Sequence, residues 1–182
     1  MIWMGTLAFA VLFLGDWNDW KWGQKPLRLC FPTGCLLLLA AVGTSLFRGT
    51  GSASGPVRGL FWLLAAIFLA LEVDALFFAL PRAASYEQPG QDRATQTVGM
   101  YALCRHPGVL WLAGLFLCLW PLGLALREAL LYSVLNLLLA AFEDCWVFPA
   151  RLTGYDAYRR ETPFLLPTPA SVRRCFGGKP DA

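Results

Sequence analysis

Three short stretches carry side chains that could do chemistry. The first, Gly99 to Pro107, reads GMYALCRHP and sets Arg105 and His106 directly before a proline. Proline is favoured at the first position of a helix, so the two basic side chains stand at a helix N-terminus. Unpaired N–H groups and the helix dipole make such an end an anion site. The second stretch is the acidic step Glu143-Asp144, followed by the apolar run Cys145 to Phe148. Adjacent helical residues point about 100° apart, so both carboxylates can address one shared cavity. The third is RLTGYDAYRRETPFLLP, Arg151 to Pro167. There Tyr155 and Tyr158 fall one turn apart on one face of a short helix, Arg159 and Arg160 follow, and Pro163 ends it.

The elements that must position these residues are hydrophobic. Of 182 residues, 57% are hydrophobic and 15% charged, against about 25% charged in soluble domains. That excludes a disordered, collagen-like or low-complexity chain and an ordinary soluble α/β domain. The charge of +3 is small and its basic residues scattered, which gives no footprint for nucleic acid. A spanning helix needs about 20 mostly apolar residues. Five runs qualify as spans: 1–15, 29–47, 59–80, 107–126 and 129–150. The first is short and lacks the basic start of a signal peptide. It is expected to be retained, with Trp17, Trp20 and Trp22 as an interfacial anchor. The expected fold class is all-α: an integral membrane helical bundle of about five transmembrane helices with a short cytoplasmic C-terminal amphipathic helix. One membrane domain, 1–167, would precede a loose tail, 168–182. GTGSASG at 49–55 reads as a flexible loop, and Pro81 to Thr97 as a turn-rich one. A tight link at 126–128 makes the last two spans an antiparallel hairpin. The start of one then lies beside the end of the other, bringing Arg105 and His106 to Glu143 and Asp144.

Orientation follows from the basic residues. Segments 16–28 and 81–106 and the C-terminal tail hold 12 of the 15 Lys and Arg; Arg48, Arg58 and Arg127 are the other 3. By the positive-inside rule the N-terminus faces out, and the three chemical stretches face the cytoplasm, most simply at the cell's inner (plasma) membrane. Glu72 and Asp74, late in the third span, are expected to pair with basic residues such as Arg82, to line a wet crevice near the cytoplasmic face, or to act directly. The six cysteines and one histidine show no CxxC pair and no Cys/His zinc spacing, so no metal is expected.

Cationic, anionic and aromatic groups on one rim suit a zwitterion with an apolar part. S-adenosylmethionine has a carboxylate, an ammonium, a sulfonium and an adenine; other zwitterions and nucleotides share some of these features. At these residues the sequence resembles the membrane methyltransferases of the isoprenylcysteine carboxyl methyltransferase and phospholipid N-methyltransferase family. The resemblance runs from Thr97 to Pro167. It comprises Gly99, Tyr101, Arg105, His106 and Pro107, then Glu143-Asp144 where the family usually has Glu-Glu, then Tyr155, Tyr158, Pro163 and Leu165-Leu166-Pro167. It implies an S-adenosylmethionine site facing the cytoplasm and an opening to the lipid bilayer for a lipophilic acceptor. The acceptor would be an isoprenylcysteine-like carboxylate, a phospholipid amine or a thiol. Tyr101, Arg105, His106, Pro107, Glu143, Asp144, Tyr155 and Tyr158 would bind cofactor, with Glu143, Asp144 and His106 also catalytic. The sequence departs from the family at Val109, Trp111, Leu139 to Ala141 and Arg151-Leu152. Two alternatives stay open: a non-catalytic membrane partner protein on the same scaffold, and an NADPH-dependent membrane reductase. The reductase would want more phosphate-binding bases than Arg105, Arg159 and Arg160.

Overall fold

The computed structural model describes residues 2–78 and 93–176. The described residues are mostly helical. Helix α1 is Ile2–Trp17, α2 Cys30–Arg48 and α3 Gly55–Val73. A short α4, Met100–Leu103, leads to α5, Pro107–Leu119, and α6, Leu126–Phe142. Then come α7, Phe148–Arg151, α8, Tyr155–Glu161, and α9, Pro169–Phe176. Helices α1 and α2 pack as a pair, as do α3 and α5, and α6 packs on both α1 and α5. Phe9, Phe116, Leu119 and Tyr132 are among the buried residues that join them. Small residues permit the close approach: any Cβ on Gly5 would collide with the Tyr132 ring, and one on Gly114 would lie 2.5 Å from Phe68. Side-chain packing of this kind, rather than burial from water, holds helices together in lipid.

Among the described residues, three helical stretches are long and apolar enough to cross a membrane: Pro26–Arg48, Gly55–Phe77 and Leu126–Arg151. Their outward surfaces carry large apolar side chains, such as Leu36, Leu39, Trp62, Leu63 and Leu138, which a lipid environment would cover. The other two expected spans are shorter helices. At about 1.5 Å per residue, α1 reaches about 24 Å and α5 about 20 Å, short of a 30 Å hydrocarbon core.

Several boundaries differ from the sequence expectation. The fourth apolar run does not stay helical to 126. It stops at Leu119, because Pro121 interrupts the backbone pattern and Gly123 takes φ 135°. The turn between α5 and α6 is therefore 120–125, not 126–128, closed by the Leu124 amide donating to the Leu119 carbonyl at 3.0 Å. The 49–55 loop is not loose. The Ala53 amide donates to the Pro121 carbonyl at 3.0 Å, and Gly49 lies so close to the Gly123 carbonyl that no Cβ would fit. The tail 168–182 is also not loose throughout, since 169–176 form α9. Thr168 and Ser171 cap it reciprocally, at 2.9 and 3.2 Å from amide to hydroxyl, and Ser171 is fully buried. Such caps satisfy N–H groups that a helix start leaves open. Arg82, Pro89-Gly90, the end of the third expected span at 79–80 and the last tail residues, 177–182, lie outside the described residues.

One end of the bundle is built differently from the rest. Three helices loosen there into π turns: Asn18–Trp22 after α1, Asp74–Phe78 after α3 and Glu143–Val147 after α6. Such turns are rare and concentrate at functional sites. A two-residue parallel pairing, Arg93 with Leu152 and Ala94 with Thr153, joins the segment before α4 to the segment before α8. It is a small addition to the all-helical expectation.

Candidate functional site

At that end the three chemical stretches meet. Asp144 comes from the π turn after α6, Arg105 and His106 from the link before α5, and the tyrosines from α8. Arg105 Nε donates to Asp144 Oδ1 at 2.7 Å and Nη2 to Oδ2 at 3.1 Å. This two-pronged pairing is the geometry a guanidinium favours with a carboxylate. The remaining guanidinium nitrogen, Nη1, donates to the carbonyls of Arg159 at 2.9 Å and Thr162 at 2.7 Å. Tyr155 donates its hydroxyl to Asp144 Oδ1 at 2.6 Å, and Arg159 Nε stands 3.4 Å from Oδ2. Both charges are deeply buried, Arg105 at 8% and Asp144 at 3% exposed.

His106 lies between the two acids. Its Nε2 is 3.3 Å from Asp144 Oδ1, and its Nδ1 is 3.8 Å from Glu143 Oε2. Phe148 stacks on the ring at 5.6 Å, and Phe164 packs at 5.0 Å. The strand of chain after α8 fixes the link from the backbone side. The Arg105 amide donates to the Pro163 carbonyl at 2.9 Å, and the His106 amide to Phe164 at 3.2 Å. Pro107 follows, buried, at the first position of α5.

The tyrosines tie the same parts together. Tyr158 donates to the Tyr101 carbonyl at 2.7 Å, and Tyr101 donates to the Ala75 carbonyl at 3.1 Å. This chain of bonds runs from α8 through α4 to the turn after α3. All three phenols are held protonated above the usual tyrosine range. Burial is the main cause for Tyr101 and Tyr158. For Tyr155 burial leads and the Asp144 carboxylate adds to it. The Glu143 and Glu72 carboxylates add to the rise of the Tyr101 phenol.

The structure therefore brings all eight expected residues into one neighbourhood, but in unequal states. Arg105 was expected to grip a ligand carboxylate. Here its side chain is occupied by Asp144 and two carbonyls, and Asp144 is occupied in return. Glu143 keeps freedom, with a quarter of its side chain exposed. Arg159, 43% exposed, is the cation with room to meet an anion.

The sequence reading missed Asp16. It stands in the last turn of α1, and its carboxyl lies against that of Glu143. Its Oδ2 is buried with no partner. Trp17 stacks on Phe142 at 6.1 Å and Trp20 meets Phe142 at 5.8 Å, so two of the expected interfacial anchors pin α1 beside the acidic step. The signal was present: Asp16 is the first charge after the first apolar run. Glu72 is buried and its Oε2 also lacks a partner, while Asp74 is exposed. Among the described residues no three Asp, Glu, His or Cys side chains stand close enough together to hold a metal ion. No protein-family model, no curated protein and no solved structure matches this chain.

Proposed function

We propose that this chain is a membrane-embedded S-adenosylmethionine-dependent methyltransferase, resembling the isoprenylcysteine and phospholipid N-methyltransferase family. We also propose that it crosses the bilayer about five times with its N-terminus outside and the polar end in the cytoplasm. One observation carries the reading. His106 sits between Glu143 and Asp144, 38 residues away in sequence for Asp144, with an exposed arginine and open carboxyls around it. The unpartnered oxygens of Asp16 and Glu72 are what a cationic ligand would satisfy. Arg159 would hold the cosubstrate carboxylate, and Asp16, through its unpartnered Oδ2, would hold its ammonium. Phe148 and Phe164, both half-buried, offer aromatic faces.

When bound, S-adenosylmethionine supplies an electrophilic methyl group, whose carbon–sulfur bond breaks as the acceptor's lone pair forms the new bond and neutral S-adenosylhomocysteine departs. The chain's own part is to align and to keep water out. Glu143 would take the proton released by an amine or thiol acceptor, and His106 would hold Glu143 in place. The Arg105–Asp144 pair fixes His106 and touches no ligand in this scheme. Titration calorimetry of the purified protein with S-adenosylmethionine should give saturable binding. Cells with and without the chain should differ in lipid-soluble species by one added methylene mass. Folded protein that binds nothing at millimolar cosubstrate would end the proposal. The mutual saturation of Arg105 and Asp144 favours one rival, a non-catalytic partner protein. In that case His106→Ala and Glu143→Ala would alter neither cosubstrate binding nor methyl transfer.

A further inference from the structure

Glu72 is the most demanding side chain that the motif residues do not account for. It lies late on α3, 9% exposed, and its Oε2 accepts no hydrogen bond. A Cβ placed on Gly108 would lie 3.2 Å from Oε2 and 3.4 Å from Oε1. The carboxylate is thus pressed against the first turn of α5, just beyond His106 and Pro107. One turn back along α3 is Phe68, and three residues on from Gly108 is Trp111. Their rings pair at 6.4 Å. The carboxylate therefore ends a short aromatic wall about one helical turn long, about 5.4 Å. The Trp111 indole N–H is a second buried polar group with no partner. A buried carboxyl oxygen with no donor is costly unless the group holds a proton or a cation meets it.

The cation can be narrowed by its hydrogen-bonding needs. An ammonium brings three N–H donors and would want several acceptors; the Phe68 and Trp111 rings offer none. An onium group, with positive charge and no N–H, needs only a charge and aromatic faces. We propose that Glu72, Phe68 and Trp111 form an onium subsite of the candidate site, which receives the sulfonium of the methyl donor. This assignment rests on the methyl-transfer reading for the donor's identity, though not for the onium chemistry. A carboxylate there would favour the charged donor over its neutral thioether product, and so help the product leave.

Wild type and Glu72→Gln should be titrated with S-adenosylmethionine, S-adenosylhomocysteine and tetramethylammonium chloride. Gln keeps the shape and removes the charge, and Trp111→Leu serves as a second variant that leaves the carboxylate in place. Wild type should prefer the sulfonium over the thioether on the order of tenfold or more, and Glu72→Gln should lose that preference by weakening sulfonium binding alone. Tetramethylammonium should compete with the donor on wild type and not on Glu72→Gln, with Trp111→Leu between them. If wild type takes tetramethylammonium through Glu72 but ignores S-adenosylmethionine, the onium subsite stands and the methyl-donor reading falls. If Glu72→Gln keeps the wild-type preference, or if tetramethylammonium fails to bind wild type, the subsite is refuted whatever becomes of the methyl-donor reading.

Discussion

Two carboxylates are buried at the polar end of the bundle, and they have opposite surroundings. Asp144, 3% exposed, receives both prongs of Arg105 and the Tyr155 hydroxyl, with His106 and Arg159 close by. Glu72, 9% exposed, has an oxygen with no partner. Burial is similar, so the difference lies in the donors. A carboxylate whose lone pairs are filled is part of the framework. One held dry and unfilled is waiting for a group that arrives from outside, or is neutral until one does. The same contrast separates the two arginines that bear on Asp144. Arg105 is used up in holding α6, α8 and the α5 entry together, while Arg159 faces outward.

The sharpest way to break this contrast is to make the same chemical change at both acids. Asp144→Asn leaves Arg105 buried and uncompensated, and removing one partner of a buried pair costs about 3–5 kcal/mol. Glu72→Gln removes a carboxyl whose Oε2 nothing pairs, and in the absence of ligand should gain up to about 1 kcal/mol at a pH where that carboxyl is ionised. Thermal unfolding in detergent should therefore move down sharply for the first and slightly up for the second. Two falls of similar size would show that Glu72 is as well served as Asp144.

Tyr155 tests the filled side alone. Tyr155→Phe deletes the 2.6 Å bond to Asp144, and bonds to charged groups contribute about 1.5–3 kcal/mol. The loss should also depend on pH. Burial, then the Asp144 carboxylate, raises the folded-state Tyr155 phenol above its ordinary range. Its contribution is complete below the unfolded value of about 10 and is lost as pH rises through the folded one. Wild-type stability should thus begin to fall near pH 10, and the fall should be shallower in Tyr155→Phe. Parallel curves would remove Tyr155 from the network.

Much of this was legible in residue types and spacing. The hairpin follows from two apolar runs with a short break, and Arg-His-Pro at one start and Glu-Asp at the other end must then meet. What could not be read was which of those groups would satisfy one another. Arg105 as a ligand grip and Arg105 as a clamp on Asp144 have the same sequence. The choice depends on the Arg159 and Thr162 carbonyls, which backbone geometry alone brings into reach. Asp16 escaped for a related reason. Its partner Glu143 stands far along the chain, as Arg151 does from the Asp19 carbonyl it donates to, 132 residues away, and no local pattern announces a contact over such a separation. The helix ends were misjudged where composition stays apolar but the backbone turns, as at Pro121 and Gly123.

The smallest effect reads the contrast locally rather than globally. Cys104 precedes Arg105, is fully buried, and burial pushes its thiol up to about 11. The thiolate is the reactive form, so at pH 8 N-ethylmaleimide should modify Cys104 far more slowly than the partly exposed Cys175 on α9. Asp144→Asn frees the Arg105 guanidinium and loosens the link that carries Cys104. Its alkylation should accelerate on the order of tenfold or more in that variant under conditions where the rest of the protein stays folded. Glu72→Gln lies outside the clamp and should leave Cys104 as protected as in wild type. Mass spectrometry of the modified peptides separates the two thiols. Equal acceleration in both variants would mean that the filled and unfilled acids belong to one cooperative unit, and that the division drawn between framework and ligand site does not exist.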